Sequence, residues 1–384
     1  MQKRNVVIAA LAIFLIAGPA AAQLQDIVIT AGTPEDQATT AIGKEEDGNK
    51  RAAMWSEFVT KFADNKGAVA YGNLQLAQQL QSNGDAVGAL AAAEKAYAAM
   101  PNNMEIITTA VGAAQQAKNW SKAAQYANAG GRAYNGIGKT KPEGMSDAEA
   151  AAQAEQQRKN LAAQYEFLEA ASYNAIASEQ DPKSRFAAIE QFTEAFPKSK
   201  YAEPTTQLAI VSLAQINDMT RLAAFSEKAL AANPNSLATL AIVANAFSQE
   251  QSGAHLAKAT EYAKRAIELS KTQADANGVM VGLAHSALGY TMLRQDGLTA
   301  PRPGPKTPGA IAELKLASAA LKSDPGSYAI ALYWLGFACA KSNRMDEARS
   351  ALSEAAGIPG PYQALARDLL GKVNSARAPR AAAK

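Results

Sequence analysis

The chain has 384 residues, of which 48% are hydrophobic and 19% are charged, a balance that excludes a largely disordered protein. Its formal net charge is only +3, so we expect no nucleic-acid partner, which would need a strongly basic surface. Aromatic residues make up 7% and much of the apolar share is Ala, which predicts closely packed helices rather than a bulky β core.

The N-terminus has the pattern of a secretory signal peptide over residues 1–22. Lys3 and Arg4 precede an apolar run from Val6 to Ala17, and Ala20-Ala21-Ala22 offers a small-x-small cleavage site. The run is shorter than the roughly 20 residues that span a bilayer comfortably, so a retained anchor is the less favoured alternative. We therefore expect a periplasmic or secreted protein with no integral membrane segment after cleavage.

Two further segments have no helical periodicity. Residues 23–48, which include the stretch TAGTPEDQ, predict a flexible linker, and residues 377–384, which hold three cations, predict a disordered basic tail. The chain between them, 49–376, is predicted to be one helical array.

Internal repetition is the main signal of this array. The segments EKAYAAMPNN (94–103) and EKALAANPNS (227–236) share seven of ten residues, and AALKSDPGS (319–327) echoes them. Each places a helix end before a Pro that stops it. In the first unit, small and apolar residues at helical spacing are followed by the turn Asn83-Gly84-Asp85 and by a second helix that ends at Pro101, and the layout recurs 34 residues later.

At these residues the chain resembles the tetratricopeptide repeat (TPR) family, and residues 187–202 resemble the shorter unit of its exported bacterial envelope members. The resemblance implies an all-α fold, a right-handed superhelical solenoid of antiparallel helix pairs with about seven repeats. One pair cannot bury its own apolar face, so neighbouring pairs must stack. The units are expected near 70–103, 104–137, 166–200, 203–236, 237–272, 282–327 and 329–360, after a leading half unit at 54–65 and before a capping helix at 361–376.

Two stretches interrupt the array. Residues 294–310 (RQDGLTAPRPGPKTPGA) form a Pro-rich insertion that is either a recognition loop or a plain spacer. Residues 144–182 begin with Ser146 or Asp147 as a helix cap, and apolar spacing predicts that they join the stack only from 161 onward.

The stretch NGIGKT, at the end of Ala133–Thr140, resembles a phosphate-binding loop whose leading Gly is replaced by Ala. Such a loop must follow a buried strand and open a helix, so that backbone N–H groups meet the phosphate. An Ala-rich helical stretch precedes this one, and Pro142 and Gly144 follow it. We expect a turn between helices, and a nucleotide-binding enzyme remains a remote alternative.

The sequence offers few residues that could support catalysis or metal binding. His255 and His285 lie in different units, the common hydrolase signatures are missing, and Cys339 is expected to be buried and inert. We therefore predict a non-catalytic protein with no cofactor and no metal.

In the TPR family the first helix of each unit lines a concave groove that holds a peptide or partner helix. Carried over by the repeat alignment, the groove residues of this chain are Gln78, Gln81, Gln115, Asn245, Gln249, Tyr290, Tyr333, Phe337 and Lys341. For each of them, packing against the neighbouring unit is the alternative. The set does not match the paired cations with which some members clamp a C-terminal carboxylate.

The resulting hypothesis is a protein–protein interaction scaffold of the bacterial cell envelope that binds a peptide or partner segment in this groove. The alternative is a solenoid subunit of an envelope enzyme or assembly complex that serves peptidoglycan or outer-membrane biogenesis.

Overall fold

The computed structural model describes residues 24–273 and 278–375, so the predicted signal peptide and the predicted basic tail lie outside the described residues. The described residues form helices joined by turns and loops. These helices are α1 (Pro34–Gly43), α2 (Gly48–Lys61), α3 (Lys66–Ser82), α4 (Ala86–Ala99), α5 (Met104–Gln116), α6 (Trp120–Gly136), α7 (Asp147–Asn160), α8 (Ala162–Ser178), α9 (Pro182–Ala195), α10 (Ala202–Gln215), α11 (Met219–Ala232), α12 (Leu237–Gln249), α13 (Leu256–Ser270), α14 (Gly278–Gln295), α15 (Thr307–Ala320), α16 (Pro325–Lys341), α17 (Met345–Gly357) and α18 (Pro361–Ser375).

The chain divides into two compact units. Unit 1 comprises the residues up to Glu179 together with Ala187–Ser199, and unit 2 comprises Gln180–Phe186 and the residues from Lys200 onward. The division passes through α9. Within each unit, helices that follow one another in sequence pack together, and the first helices of successive pairs also touch, as α3 and α5 do in unit 1 and α12, α14 and α16 do in unit 2. The all-α class and the stacked helix pairs are thus confirmed.

The same turn recurs between the two helices of a pair. A residue with positive φ ends the first helix, and the next backbone N–H donates to the carbonyl five residues earlier, which satisfies an otherwise free carbonyl at the helix end. The positive-φ residues are Gly84, Lys118, Asn217 and Asn343. The hydrogen bonds run from Asp85 to Leu80, Asn119 to Ala114, Asp218 to Leu213 and Arg344 to Cys339, at 2.8–2.9 Å. The repetition seen in the sequence is therefore a repetition of backbone geometry.

Close approach between paired helices depends on small residues. A Cβ at Gly336 would lie 2.5 Å from Cγ of Leu352, and one at Gly289 would lie 2.7 Å from Cγ of Leu314. Cys339 is fully buried in the same core, and burial raises the pKa of its thiol, as its predicted inert role requires.

The linker prediction for residues 23–48 is wrong over Pro34–Gly43, which form α1. Thr33 caps this helix, Pro34 occupies its first turn, and Ile42 is buried in a cluster with Trp55 and Phe58. Only one residue of α1 is buried, so the sequence lacks the apolar periodicity by which a helix is recognised.

The residues before α1 are also held in place. The Gln25 carbonyl accepts a 2.8 Å hydrogen bond from Nδ2 of Asn103, and the Gln25 backbone N–H donates to the Asn102 carbonyl at 3.2 Å. Ile27 packs against a cluster that includes Leu74 and Ile106. This extended segment therefore covers apolar surface of the first helix pair.

Of the two interruptions of the array, the first agrees with the expectation and the second differs from it in its bounds. Ser146 caps α7 with a reciprocal capping box, α7 buries only Ala154, and the chain turns at Leu161 before α8 joins the core, as the apolar spacing predicts. The Pro-rich insertion is shorter than 294–310: α14 continues to Gln295 and α15 begins at Thr307, because Pro308 is compatible with the first turn of a helix.

Candidate partner-binding surfaces

The predicted groove amides of unit 1 connect neighbouring first helices. Nε2 of Gln78 on α3 lies 3.3 Å from Oε1 of Glu105 and 3.5 Å from Oγ1 of Thr109, both on α5. The carbonyl of Gln81 accepts from the side chain of Gln116, and Gln115 is half-buried. The structure thus places Gln78 and Gln81 at contacts between α3 and α5, where Gln78 takes part in packing between neighbouring helix pairs.

Asn245 and Gln249 lie four residues apart on α12 in unit 2, where Nε2 of Gln249 donates to Oδ1 of Asn245 at 3.2 Å. Both side chains are half-buried. Gln249 also borders an open depression of about 740 Å³ that is lined by the α10–α11 turn (Ile216–Thr220) and by Gln249–Ser252.

The structure brings three of the predicted residues, Tyr290, Tyr333 and Phe337, together around Trp334. We call the five residues Tyr290, Tyr333, Trp334, Phe337 and Tyr362 the aromatic surface. Trp334 stacks on Tyr290 with 4.3 Å between ring centroids and meets Tyr333 at 4.9 Å and Phe337 at 5.6 Å. Tyr333 in turn contacts Tyr362 at 5.3 Å. Three helices, α14, α16 and α18, thus contribute rings to one continuous cluster.

Each ring of the aromatic surface is half-buried, and Tyr333, Trp334 and Phe337 pack directly on the core of unit 2. Tyrosine hydroxyls are neutral at neutral pH and can both donate and accept hydrogen bonds, and burial raises the pKa of Tyr290, Tyr333 and Tyr362 further from that range. The indole Nε1 of Trp334 is buried close to the Tyr362 side chain without a hydrogen bond of good geometry. Such amphipathic rings are the side chains most enriched where proteins bind each other.

Sequence reasoning missed Trp334 and the position of Tyr362. Trp334 directly follows Tyr333, so one assignment of helix faces could not place both on the groove, and Tyr362 lies on the capping helix rather than on the first helix of a repeat. The large size of Trp, together with its frequency at binding surfaces, is the signal that could have singled out Trp334.

Two cations border the aromatic surface. Arg294 lies over the ring of Tyr290 and Lys341 lies over the ring of Phe337, each 5.9 Å from the ring centroid. Nζ of Lys341 also donates to the carbonyl of Gly297, at 2.5 Å, where the Pro-rich loop begins. The predicted groove residue Lys341 therefore joins α16 to that loop.

The Pro-rich loop is closed at its base by the carboxylate of Asp296. Oδ2 of Asp296 accepts the Lys306 backbone N–H at 2.9 Å and the Thr307 hydroxyl at 2.8 Å, and the Gly304 N–H donates to Oγ1 of Thr307 at 3.1 Å. Pro301, Arg302, Pro303 and Pro305 are exposed beyond this base. The loop therefore presents prolines and one arginine from a hydrogen-bonded frame.

NGIGKT has the geometry of a helix C-terminus. Helix α6 ends at Gly136, the Lys139 N–H donates to the Gly136 carbonyl at 3.1 Å, Gly138 has φ of 77°, and the next helix starts only at Asp147. A phosphate would meet the negative end of the α6 dipole rather than free N–H groups. The local structure thus argues against the nucleotide-binding alternative, although a depression of about 250 Å³ adjoins the turn.

The histidines each pair with a carboxylate in unit 2. Nδ1 of His285 lies 2.6 Å from Oε2 of Glu313, and Nδ1 of His255 lies 3.0 Å from Oε2 of Glu250. Burial alone would raise the pKa of Glu250, but hydrogen bonds from His255 and Ser252 outweigh it and lower the pKa. Across residues 24–273 and 278–375, no group of three or more His, Cys, Asp or Glu side chains is placed to hold a metal ion.

Within the same residues, no helix is both long enough and apolar enough to cross a lipid bilayer.

No protein-family model and no curated protein matches the chain. Among solved structures, the chain is similar to yeast Tom70, with a TM-score of 0.38 and 14% identity over 92% of this chain, and it spans 66% of the Tom70 chain. It is also similar to the TPR domain of P58(IPK), with a TM-score of 0.28 and 12% identity over 89% of this chain and 98% of that one. Identities this low carry no functional residue from either protein to this one.

Proposed function

We propose that the protein is a non-catalytic scaffold that binds a segment of another protein across the aromatic surface of unit 2. The observation that carries the proposal is the half-buried cluster of Tyr290, Tyr333, Trp334, Phe337 and Tyr362, contributed by three helices. Large rings held by mutual packing lose little conformational freedom on binding, so they can anchor a partner at low entropic cost.

The neighbouring groups suit an extended or helical partner segment. Asn245 and Gln249 on α12 offer amide donors and acceptors, and the neutral tyrosine hydroxyls add further ones. The groove would thus combine hydrogen bonding to a backbone with stacking against side chains. The signal-peptide pattern of residues 1–22 supports a location in the cell envelope or beyond.

The test is crosslinking in cells that produce the protein, followed by purification and identification of the captured proteins. A Tyr333→Ala/Phe337→Ala variant runs in parallel with a matched Phe167→Ala control, because Phe167 is a 44% exposed ring on α8 of unit 1. Circular dichroism of each variant verifies that the helices are retained. We expect one dominant partner that disappears with the double variant and remains with the control.

Capture that is unchanged in the double variant would contradict the placement of the site on the aromatic surface. A captured hydrolase or assembly factor would favour the solenoid subunit of an envelope complex over an independent scaffold. Fractionation of the producing cells tests the location separately, since retention in the cytoplasm would contradict export.

A further inference from the structure

Among the described residues, no carboxylate pairs with the two cations that border the aromatic surface. The Arg294 guanidinium donates to the carbonyls of Ser248 at 2.8 Å, Glu250 at 2.5 Å and Gln251 at 3.1 Å, which terminate α12. Nζ of Lys341 donates to the Gly297 carbonyl. In the part of the chain that the structure describes, neither side chain forms an ion pair with Asp or Glu. Carbonyl dipoles hold both cations in position and leave their net charge uncompensated.

The Pro-rich loop adds positive charge beside them. Arg302 is exposed on the loop, and Lys306 at its end binds Oε1 of Gln295 rather than a carboxylate. The one acidic residue of the loop, Asp296, is engaged in closing the loop base. The loop and the adjoining ends of α14 and α16 therefore carry four cations, Arg294, Arg302, Lys306 and Lys341, against the single carboxylate of Asp296, so their net charge is positive. We call this region the positive edge of the aromatic surface.

The nearby acidic groups also have hydrogen-bond partners, although the Tyr328 hydroxyl is neutral and leaves the charge of Glu354 in place. Asp368 accepts from Nζ of Lys372 at 2.6 Å, Oε1 of Glu354 accepts from the Tyr328 hydroxyl at 2.5 Å, and Glu250 pairs with His255. The positive edge is a local feature. The whole chain has 38 basic and 35 acidic residues, and five of the basic residues lie in the predicted signal peptide and the predicted tail, so the chain between them is slightly acidic.

We propose that the occupant of the aromatic surface is an acidic segment of a partner protein, in which Asp or Glu flanks an aromatic or aliphatic side chain. This inference rests on the proposed function and specifies its partner. The apolar side chain packs on the tyrosines and Trp334, while the carboxylates face Lys341 and Arg302. Complementary charge of this kind steers association and fixes the direction in which the segment lies.

The segment 377–384 does not have this chemistry, since it holds three cations and no acid. A polyanion such as a nucleic acid would be drawn to the same edge. It is less well matched to the molecule, because the positive charge is confined to one edge and the remainder of the chain is slightly acidic.

The probe is a short fluorescein-labelled peptide in which Glu alternates with Phe and Leu, and its matched control carries Gln in place of every Glu. Fluorescence anisotropy with the full chain gives the dissociation constant of each. We expect the acidic peptide to bind at least about fivefold more tightly than the Gln peptide, with the difference shrinking as salt is raised from about 0.05 M to about 0.5 M.

The variants separate charge from packing. Lys341→Gln/Arg302→Gln is expected to weaken the acidic peptide about fivefold and to leave the Gln peptide within about twofold. Lys264→Gln, an exposed cation on α13, is the matched control and is expected to change neither. Tyr333→Ala/Phe337→Ala is expected to weaken both peptides.

Three results would overturn the inference. If both peptides bind equally and both depend on Tyr333 and Phe337, the acidic preference is wrong while the proposed function stands. If neither peptide binds, the acidic segment is wrong, and the cellular crosslinking result decides the proposed function on its own. If a single-stranded oligonucleotide displaces the acidic peptide at a lower concentration than unlabelled peptide does, the positive edge serves a nucleic acid.

Discussion

Gly336 allows α16 and α17 to lie in direct contact, and replacing it with Ala tests this packing. An added Cβ would lie 2.5 Å from Cγ of Leu352, 2.8 Å from Cδ2 of the same residue and 3.3 Å from the carbonyl oxygen of Ala348. Leu352 is fully buried and the Ala348 carbonyl belongs to the backbone of α17, so neither can move aside freely. Normal carbon–carbon contact is about 3.5–4.0 Å.

The expected free-energy change combines two opposing effects. Ala is favoured over Gly in a helix interior by about 1 kcal/mol. Overpacking a well-filled core costs about 1–3 kcal/mol. We therefore expect Gly336→Ala to lower the free energy of unfolding by about 1 kcal/mol.

Gly371→Ala on α18 is the matched control, since a Cβ at Gly371 would meet no atom within 4 Å. Only the helix-propensity gain remains there, so we expect stabilisation by about 0.5–1 kcal/mol. Both variants replace Gly with Ala in a helix of the same unit. Their effects on the free energy of unfolding are expected to have opposite signs.

Urea unfolding followed by circular dichroism measures both variants. A difference of about 2 kcal/mol separates the two midpoints by about 0.7 M if the denaturant slope is about 3 kcal/mol per M. Hydrogen exchange of peptides from α16 and α17 locates the effect. If Gly336→Ala raises the midpoint as Gly371→Ala does, the described contact between α16 and α17 is wrong.

Three further predictions concern other parts of the chain. Asn103→Ala removes the buried cap of α5 and the partly buried hydrogen bond to Gln25 in the extended N-terminal segment. We expect the free energy of unfolding to fall by about 2 kcal/mol, and a loss below about 0.5 kcal/mol would contradict this dual role. Burial, together with the hydrogen bond to Glu354, raises the pKa of Tyr328 to about 12. Since this folded-state pKa lies above the unfolded value of about 10, the contribution of Tyr328 to the free energy of unfolding is complete below about pH 10 and is lost as the pH rises toward about 12. In urea unfolding across this range, the free energy of unfolding should decline less for Tyr328→Phe than for the unmodified protein. Equal declines would contradict the assignment. Ala89→Leu should overpack the first helix pair and lower the free energy of unfolding by about 1–3 kcal/mol. Gln78→Ala should change the free energy of unfolding by less than about 0.5 kcal/mol. Equal shifts of the melting temperature in thermal unfolding would show that the two helix faces are misassigned.

The helix pairs could be predicted because their signals are local. Pro101 and Pro234 each follow a second helix by one or two residues, and Asn103 and Ser236 cap the helices that come next. A helix that buries a stripe of small residues must repeat them every three or four positions, so the stripe is visible in one sequence.

The error at α1 has the opposite cause. Thr33 and Pro34 are a cap and a first-turn residue, but the only burial in the helix is that of Ile42 against the cluster that contains Trp55 and Phe58. This contact joins positions more than ten residues apart. Periodicity within the segment therefore could not reveal it.

The candidate surface was also predicted only as far as local sequence signals reach. The sequence determined which residues lie on first helices, and so it predicted that Tyr290, Tyr333 and Phe337 share one surface. Only the tertiary structure decided that Trp334 joins them and that Tyr362 reaches the cluster from the capping helix. It also decided that, among residues 24–273 and 278–375, Lys341 is held by the Gly297 carbonyl rather than by an acid. Helical periodicity fixes the face on which a side chain lies, whereas its neighbours depend on the packing of helices that are far apart in the chain.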